Sequence, residues 1–199
     1  MKINKTLITV GVIVLFLIIL ISWIVGKYNT LVTRDEGVTN QWKQVEVAYQ
    51  ARMDKTKNLL EIVKGAANFE KSTLTEVIEA RSKATSIQIN AENLTPDKIA
   101  AFEAAQQKFG QSLGRLMAIA ENYPQLQSVG AFRDFQAQYE GMENRIATER
   151  RKFNDMVNDY NKYVRKFPNS IFANMFGFQK KDYFSAQQGA ETAPDIKLN

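Results

Sequence analysis

Two charged residues stand where helical spacing calls for apolar ones. Leu31, Val38, Val45, Arg52, Leu59 and Ala66 fall seven apart, with Trp42, Tyr49, Thr56 and Val63 on the neighbouring stripe. Phe132, Tyr139, Ile146, Phe153, Tyr160 and Phe167 repeat with the same period. Beside them run Phe135, Met142, Met156 and Tyr163, a second stripe that Glu149 interrupts. Paired stripes of this kind are the seams of bundle helices. A guanidinium on a seam is costly to bury unless an acid meets it, so Arg52 and Glu149 form a candidate core ion pair. The alternative is that Arg52 carries its charge to solvent along its apolar stem.

Other chemistry is limited by what is missing. The chain has no His and no Cys, which excludes thiol nucleophiles, Ser-His-Asp triads, Cys/His zinc sites and the Glu-x-x-His di-iron arrangement of helical bundles. No Walker A or G-x-G-x-x-G loop occurs. Neither a catalytic site, a cofactor nor a metal is expected. The net charge is +5 and the pI about 9.3. Basic and acidic residues nevertheless alternate along the chain, the pattern of solvated helix faces and not of a nucleic-acid site.

The element that must position everything else is the apolar run from Leu7 to Val25, which carries no charge between Lys5 and Lys27. A helix of that length just crosses a hydrocarbon core about 30 Å thick. A secretory signal is the rival, with Lys2 and Lys5 as its basic head. Against it, the apolar run is long and no small-x-small cleavage site follows Trp23. Trp23 and Tyr28 stand near the end of the run, where amphipathic rings favour the membrane interface.

The helical period then continues without a breaker, which predicts a span running directly into the part that follows. Helices are expected near 28–64, 68–85, 96–122 and 131–167. Gly37 is a soft point in the first, and Gly65 ends it. Thr95, Pro96 and Asp97 supply an N-cap, a first-turn proline and an acid for the helix dipole. Pro124 and Pro168 stop the helices that precede them. Gly110 and Gly114 form a G-x-x-x-G that suits close helix packing. The predicted fold is all-α: a transmembrane helix continuing into a long antiparallel up-and-down four-helix bundle of coiled-coil character. The segments are a basic head over 1–6, the span over 7–26, the bundle over 27–168, an aromatic membrane-proximal segment over 169–184 and a disordered tail over 185–199.

Several short motifs, in order, carry a resemblance. They are Tyr28-Asn29-x-Leu31-Val32, Arg52-x-Asp54, Asn58-Leu59, Val63-Lys64-Gly65, Glu121-Asn122-Tyr123-Pro124, Glu143-Asn144-Arg145-Ile146-Ala147, Tyr160-Asn161, Phe167-Pro168 and Phe176-Gly177-Phe178. As a set they resemble the LemA family of bacterial membrane proteins. The resemblance implies an N-terminal anchor and long helices but no activity, and a related branch is similar to proteins of magnetosome membrane formation. Where the family often reads Leu-Ile-Pro, this chain has Lys55-Thr56-Lys57 and so lacks that kink. Where Glu149 stands, similar sequences usually have a small apolar residue.

The functional expectation is a membrane-anchored helical scaffold or interaction protein of the cell envelope, with the lipid bilayer, other envelope proteins or further copies of itself as partners. The alternative is a membrane-remodelling or lipid-sensing protein. It would act through Phe172, Phe176, Phe178, Lys180 and Lys181, whose rings and amines suit the acyl boundary and anionic headgroups. The same rings could instead close the open end of the helix bundle. The basic residues flanking the span nearly balance, and the short basic head favours the cytoplasmic membrane with the domain outside.

Overall fold

The computed structural model describes residues 5–89 and 94–185. Lys2, most of the linker after Gln88, and the tail beyond Ser185 lie outside the described residues. The chain is all-helical, with no strand among the described residues. Its elements are α1 (Lys5–Lys64), α2 (Lys71–Ser86), α3 (Pro96–Ala120), α4 (Pro124–Gln127), α5 (Gly130–Arg165) and α6 (Asn169–Phe176). Contacts divide the described residues into two compact units, the first reaching to Asn40 and taking in Asp155–Lys181, the second made of Gln41–Asn154 with the described residues from Asp182 on.

In α1 the apolar run and the first seam are one uninterrupted helix, as the unbroken period predicts. Its apolar window is not buried at all within the protein. Further along, Val45, Arg52, Leu59, Trp42, Tyr49, Thr56 and Val63 are all buried. Gly37 does not interrupt the helix, and α1 ends one residue before Gly65.

The second unit holds the larger core. Met53, Leu59, Leu60 and Val63 of α1 meet Val77, Ala80 and Ala84 of α2, Phe109, Leu113 and Leu116 of α3, Leu126 of α4, and Phe132 and Phe135 of α5. Full burial of each large side chain stabilises by roughly 1.5–3 kcal/mol. Helix α2 starts later than its period suggests: Asn68 has a left-handed φ of 61°, and Glu70 takes the N-cap position, its carboxylate accepting hydrogen bonds from the hydroxyls of Ser72 and Thr73 and not from the backbone. Thr95 occupies the N-cap of α3 with Pro96 after it, but its hydroxyl makes no capping bond. Pro124 does not merely stop α3: it opens the short α4, which seats Leu126 in the core.

In the first unit the buried residues include Leu31 and Val38 of α1, Val157, Tyr160 and Val164 of α5, and Phe172 and Ala173 of α6. The seven-residue count on α5 does not extend to Phe167. The helix ends at Arg165, so Phe167 leaves the stripe and is 81% exposed. Met156, expected on the second stripe, is exposed as well. Helix α6 was not foreseen from the sequence. It is closed by Gly177, whose φ of 80° is left-handed. From there the amide N–H of Phe178 reaches the carbonyl of Ala173, the end geometry that favours glycine.

Candidate functional site

Arg52 is 2% exposed, so it does not carry its charge to solvent. Its acid is not Glu149. Arg52 donates through Nη1 to Glu143 at 2.7 Å and through Nη2 to the side-chain oxygen of Gln106 at 2.8 Å and its main-chain oxygen at 3.0 Å. Both ring faces near it are aromatic, with Tyr49 at 5.3 Å and Phe109 at 5.1 Å from the guanidinium carbon. Gly110 makes room for it, since a Cβ there would come within 3.2 Å of Nη1. The first glycine of the G-x-x-x-G therefore accommodates an arginine. The second, Gly114, has nothing within 4 Å of such a position.

Glu149 is committed elsewhere. It accepts from the Gln41 amide at 2.8 Å and pairs with Lys152 at 3.0 Å. The Lys152 hydrogen bond first, and then that of Gln41, holds its carboxyl below the usual carboxylate range. The two acids are six residues apart, which turns them to different faces of α5. Glu143 shares a face with Ile146 and the neighbouring seam, and no sequence count selects it over Glu149.

A second acid-base pair stands close by. Arg150 meets Glu103 at 2.5 Å, reaches the main-chain oxygen of Ser185 and lies over the ring of Phe184 at 4.8 Å. Burial pushes the Glu103 carboxyl up despite that partner. Burial also raises Tyr49 and Tyr139. Phe184 itself is clamped: Asn154 donates to its carbonyl and accepts from its amide at 3.1 and 2.9 Å. The ring stacks on Trp42 at 5.4 Å and meets Phe153 edge-on at 5.3 Å. Nothing in the sequence sets Phe184 apart from the other phenylalanines near it.

The residues read as a membrane interface all fall in the first unit. Trp23 and Phe172 meet edge-on at 5.2 Å, and Tyr28 meets Phe176 at 5.0 Å and Phe178 at 6.0 Å. Their exposures differ. Trp23, Tyr28 and Phe176 are 44%, 41% and 39% exposed, whereas Phe172 is buried. Phe178 is half-buried and Lys180 exposed. Lys181 pairs with Asp35 at 2.9 Å and lies over the Tyr160 ring, so its amine already has partners within the protein. The Tyr160 hydroxyl donates to the carbonyl of Gln179, and burial beside Asp35 raises its pKa strongly. Three exposed apolar residues join the set that sequence reasoning did not single out as site residues: Phe167, Ile171 and Met175.

The sequence model of the LemA family matches residues 41–198. Two relatives from Paramagnetospirillum magneticum, the magnetosome proteins MamQ 1 and MamQ 2, are each 30% identical over 196 residues, covering 90% of this chain and 72% of the relative. The magnetosome protein MamQ of Magnetospirillum gryphiswaldense is 29% identical over the same extent.

Proposed function

The chain belongs to the LemA family, and on that footing we propose that it is a single-pass protein of the bacterial cytoplasmic membrane whose helices form a scaffold for partners. The observation that carries this reading is the continuity of α1, in which an apolar window exposed along its whole length passes without a break into a buried seam. A helix with an apolar run of this length is long enough to cross a bilayer and anchor the chain. The helices are arranged as an up-and-down four-helix bundle. Supporting this, contacts between α1 and α5 run in opposite order along the two helices, Gln41 to Glu149 and Arg52 to Glu143. The N-terminus lies inside and the helical part outside, with envelope proteins or further copies of the chain as partners. A reporter fused after residue 199 tests the orientation: protection from an external protease in intact cells would overturn it.

A second reading has its own observation. Ile171, Met175 and Phe176 of α6 are exposed apolar residues, and the Phe176 ring touches Tyr28 at the end of the apolar run. That grouping suits a lipid headgroup boundary, where Phe167, Trp23 and Lys180 would join it and Phe172 and Lys181 would serve as its packed support. The similarity to magnetosome proteins fits a role at a membrane. Replacing Phe176 and Phe178 by Ser, in a chain lacking residues 1–27, is expected to lower flotation with anionic liposomes while changing the melting temperature little. Unchanged flotation with a large fall in melting temperature would eliminate the lipid reading.

A further inference from the structure

The second-unit parts of α1, α3 and α5, with Ser185, line an open cleft of about 490 Å³, within the size range of small-molecule sites. Arg52 and Gln106, each 2% exposed, are among the residues that line it. Arg52 engages Glu143 and Gln106 through its two Nη atoms. Its Nε, and the Nε2 of Gln106, meet no acceptor among the described residues. A buried donor without an acceptor is costly, and an apolar pair of similar volume at the same place would avoid that cost. Both atoms have almost no accessible surface, so an acceptor entering the cleft that Arg52 and Gln106 line would reach them with a small shift of these two side chains.

The charges around the cleft narrow the chemistry. Two arginines, Arg52 and Arg150, are balanced by two glutamates, Glu143 and Glu103. A simple anion there meets repulsion as well as attraction. A zwitterion meets both partners it needs. Glu143 is the most exposed of the four, its side chain 37% accessible, and it stands beside Tyr139 on the cleft wall, where an ammonium would also find an aromatic face.

We infer that this cleft binds a small α-amino carboxylate, either a free amino acid or a di- or tripeptide. The carboxylate accepts from Arg52 and Gln106, and the ammonium meets Glu143. The inference does not depend on which membrane reading holds.

The test uses the full-length chain in detergent micelles, with ligand-observed NMR and calorimetry. The probes are the standard amino acids, trialanine, trialanine blocked at both ends, and inorganic phosphate. At least one free zwitterion is expected to bind with micromolar to millimolar affinity, and the blocked peptide at least about tenfold more weakly. Binding of single amino acids or of trialanine identifies the source. Ala104 lines the cleft from an exposed position, so Ala104→Trp should fill it and abolish binding at an unchanged melting temperature. Gln106→Leu should also lose binding while the chain stays folded. The inference is overturned if no zwitterion binds at millimolar concentration, if phosphate or the blocked peptide binds equally well, or if Ala104→Trp leaves binding intact.

Discussion

Trp42 and Trp23 stand on the same helix, and each is met edge-on by a phenylalanine from later in the chain, Trp42 by Phe153 and Trp23 by Phe172. Ring geometry does not separate them. Exposure does: Trp42 is fully buried among Phe102, Phe153 and Phe184, while Trp23 is 44% exposed. The difference follows from what surrounds each ring. In the second unit α1 is covered on its seam by residues of other helices, so a ring there displaces water completely. Toward the N-terminal end, α1 keeps apolar side chains in the open along its length, and a ring there is covered on one side only. The lesson is that an aromatic pair marks a core where its neighbours close around it, and an available apolar surface where they do not.

The sharpest way to break this comparison is to truncate one ring on each side. Phe153→Ala is expected to cost about 3–5 kcal/mol in denaturant unfolding, the usual loss for a fully buried ring. Trp23→Ala should cost less than about 1 kcal/mol, since much of that ring is already exposed. Equal losses would refute the distinction.

Arg52 gives the next largest effect. Removing one partner of a buried ion pair leaves the other uncompensated, so Arg52→Ala should destabilise by about 3 kcal/mol. In double-mutant cycles Arg52→Ala and Glu143→Ala should couple by about 1 kcal/mol or more, whereas Arg52→Ala and Glu149→Ala should add to within about 0.5 kcal/mol. Coupling to Glu149 in place of Glu143 would contradict the observed pairing.

The two glutamates of α3 and α5 differ in pH response. Glu103 has a folded pKa raised by burial, so the folded state holds its proton longer than the unfolded chain does. Its contribution is greatest below the unfolded value of about 4.3 and is lost as pH rises through the folded pKa. Glu149 has a folded pKa lowered by its Lys152 and Gln41 hydrogen bonds. Its contribution is present above the unfolded value and lost as pH falls through the folded one. Melting curves taken from acid to neutral pH should show Glu103→Gln removing part of the decline on the neutral side and Glu149→Gln removing part of the decline on the acid side. A shift of the same sign in both variants would contradict these environments.

The smallest effect sharpens the first unit. Gly177→Ala puts a side chain at a φ of 80°, which should cost about 1 kcal/mol and loosen α6. Amide exchange should quicken near Phe176 while the amides around Phe109 stay protected.

The helical class, the apolar run, the unbroken passage into a seam and the family were all legible before any packing was known. These are properties of short stretches or of one helix's period, and a helix is built from contacts three and four residues apart. The start of α3 at Pro96 and the end of α1 before Gly65 are local in the same sense. Tertiary structure alone decided which acid meets Arg52. Glu143 and Glu149 both lie on α5, and choosing between them requires the rotation and register of α5 against α1, which no count along one helix contains. It decided that Phe172 is buried and Lys181 paired with Asp35, although composition made both look available to lipid. It decided that Phe167 leaves its stripe, because a period continues on paper after the hydrogen-bonded helix has ended. The cleft beside Arg52 and Gln106 is the extreme case: its lining comes from three helices and from Ser185, far apart in the chain, and exists only once they pack.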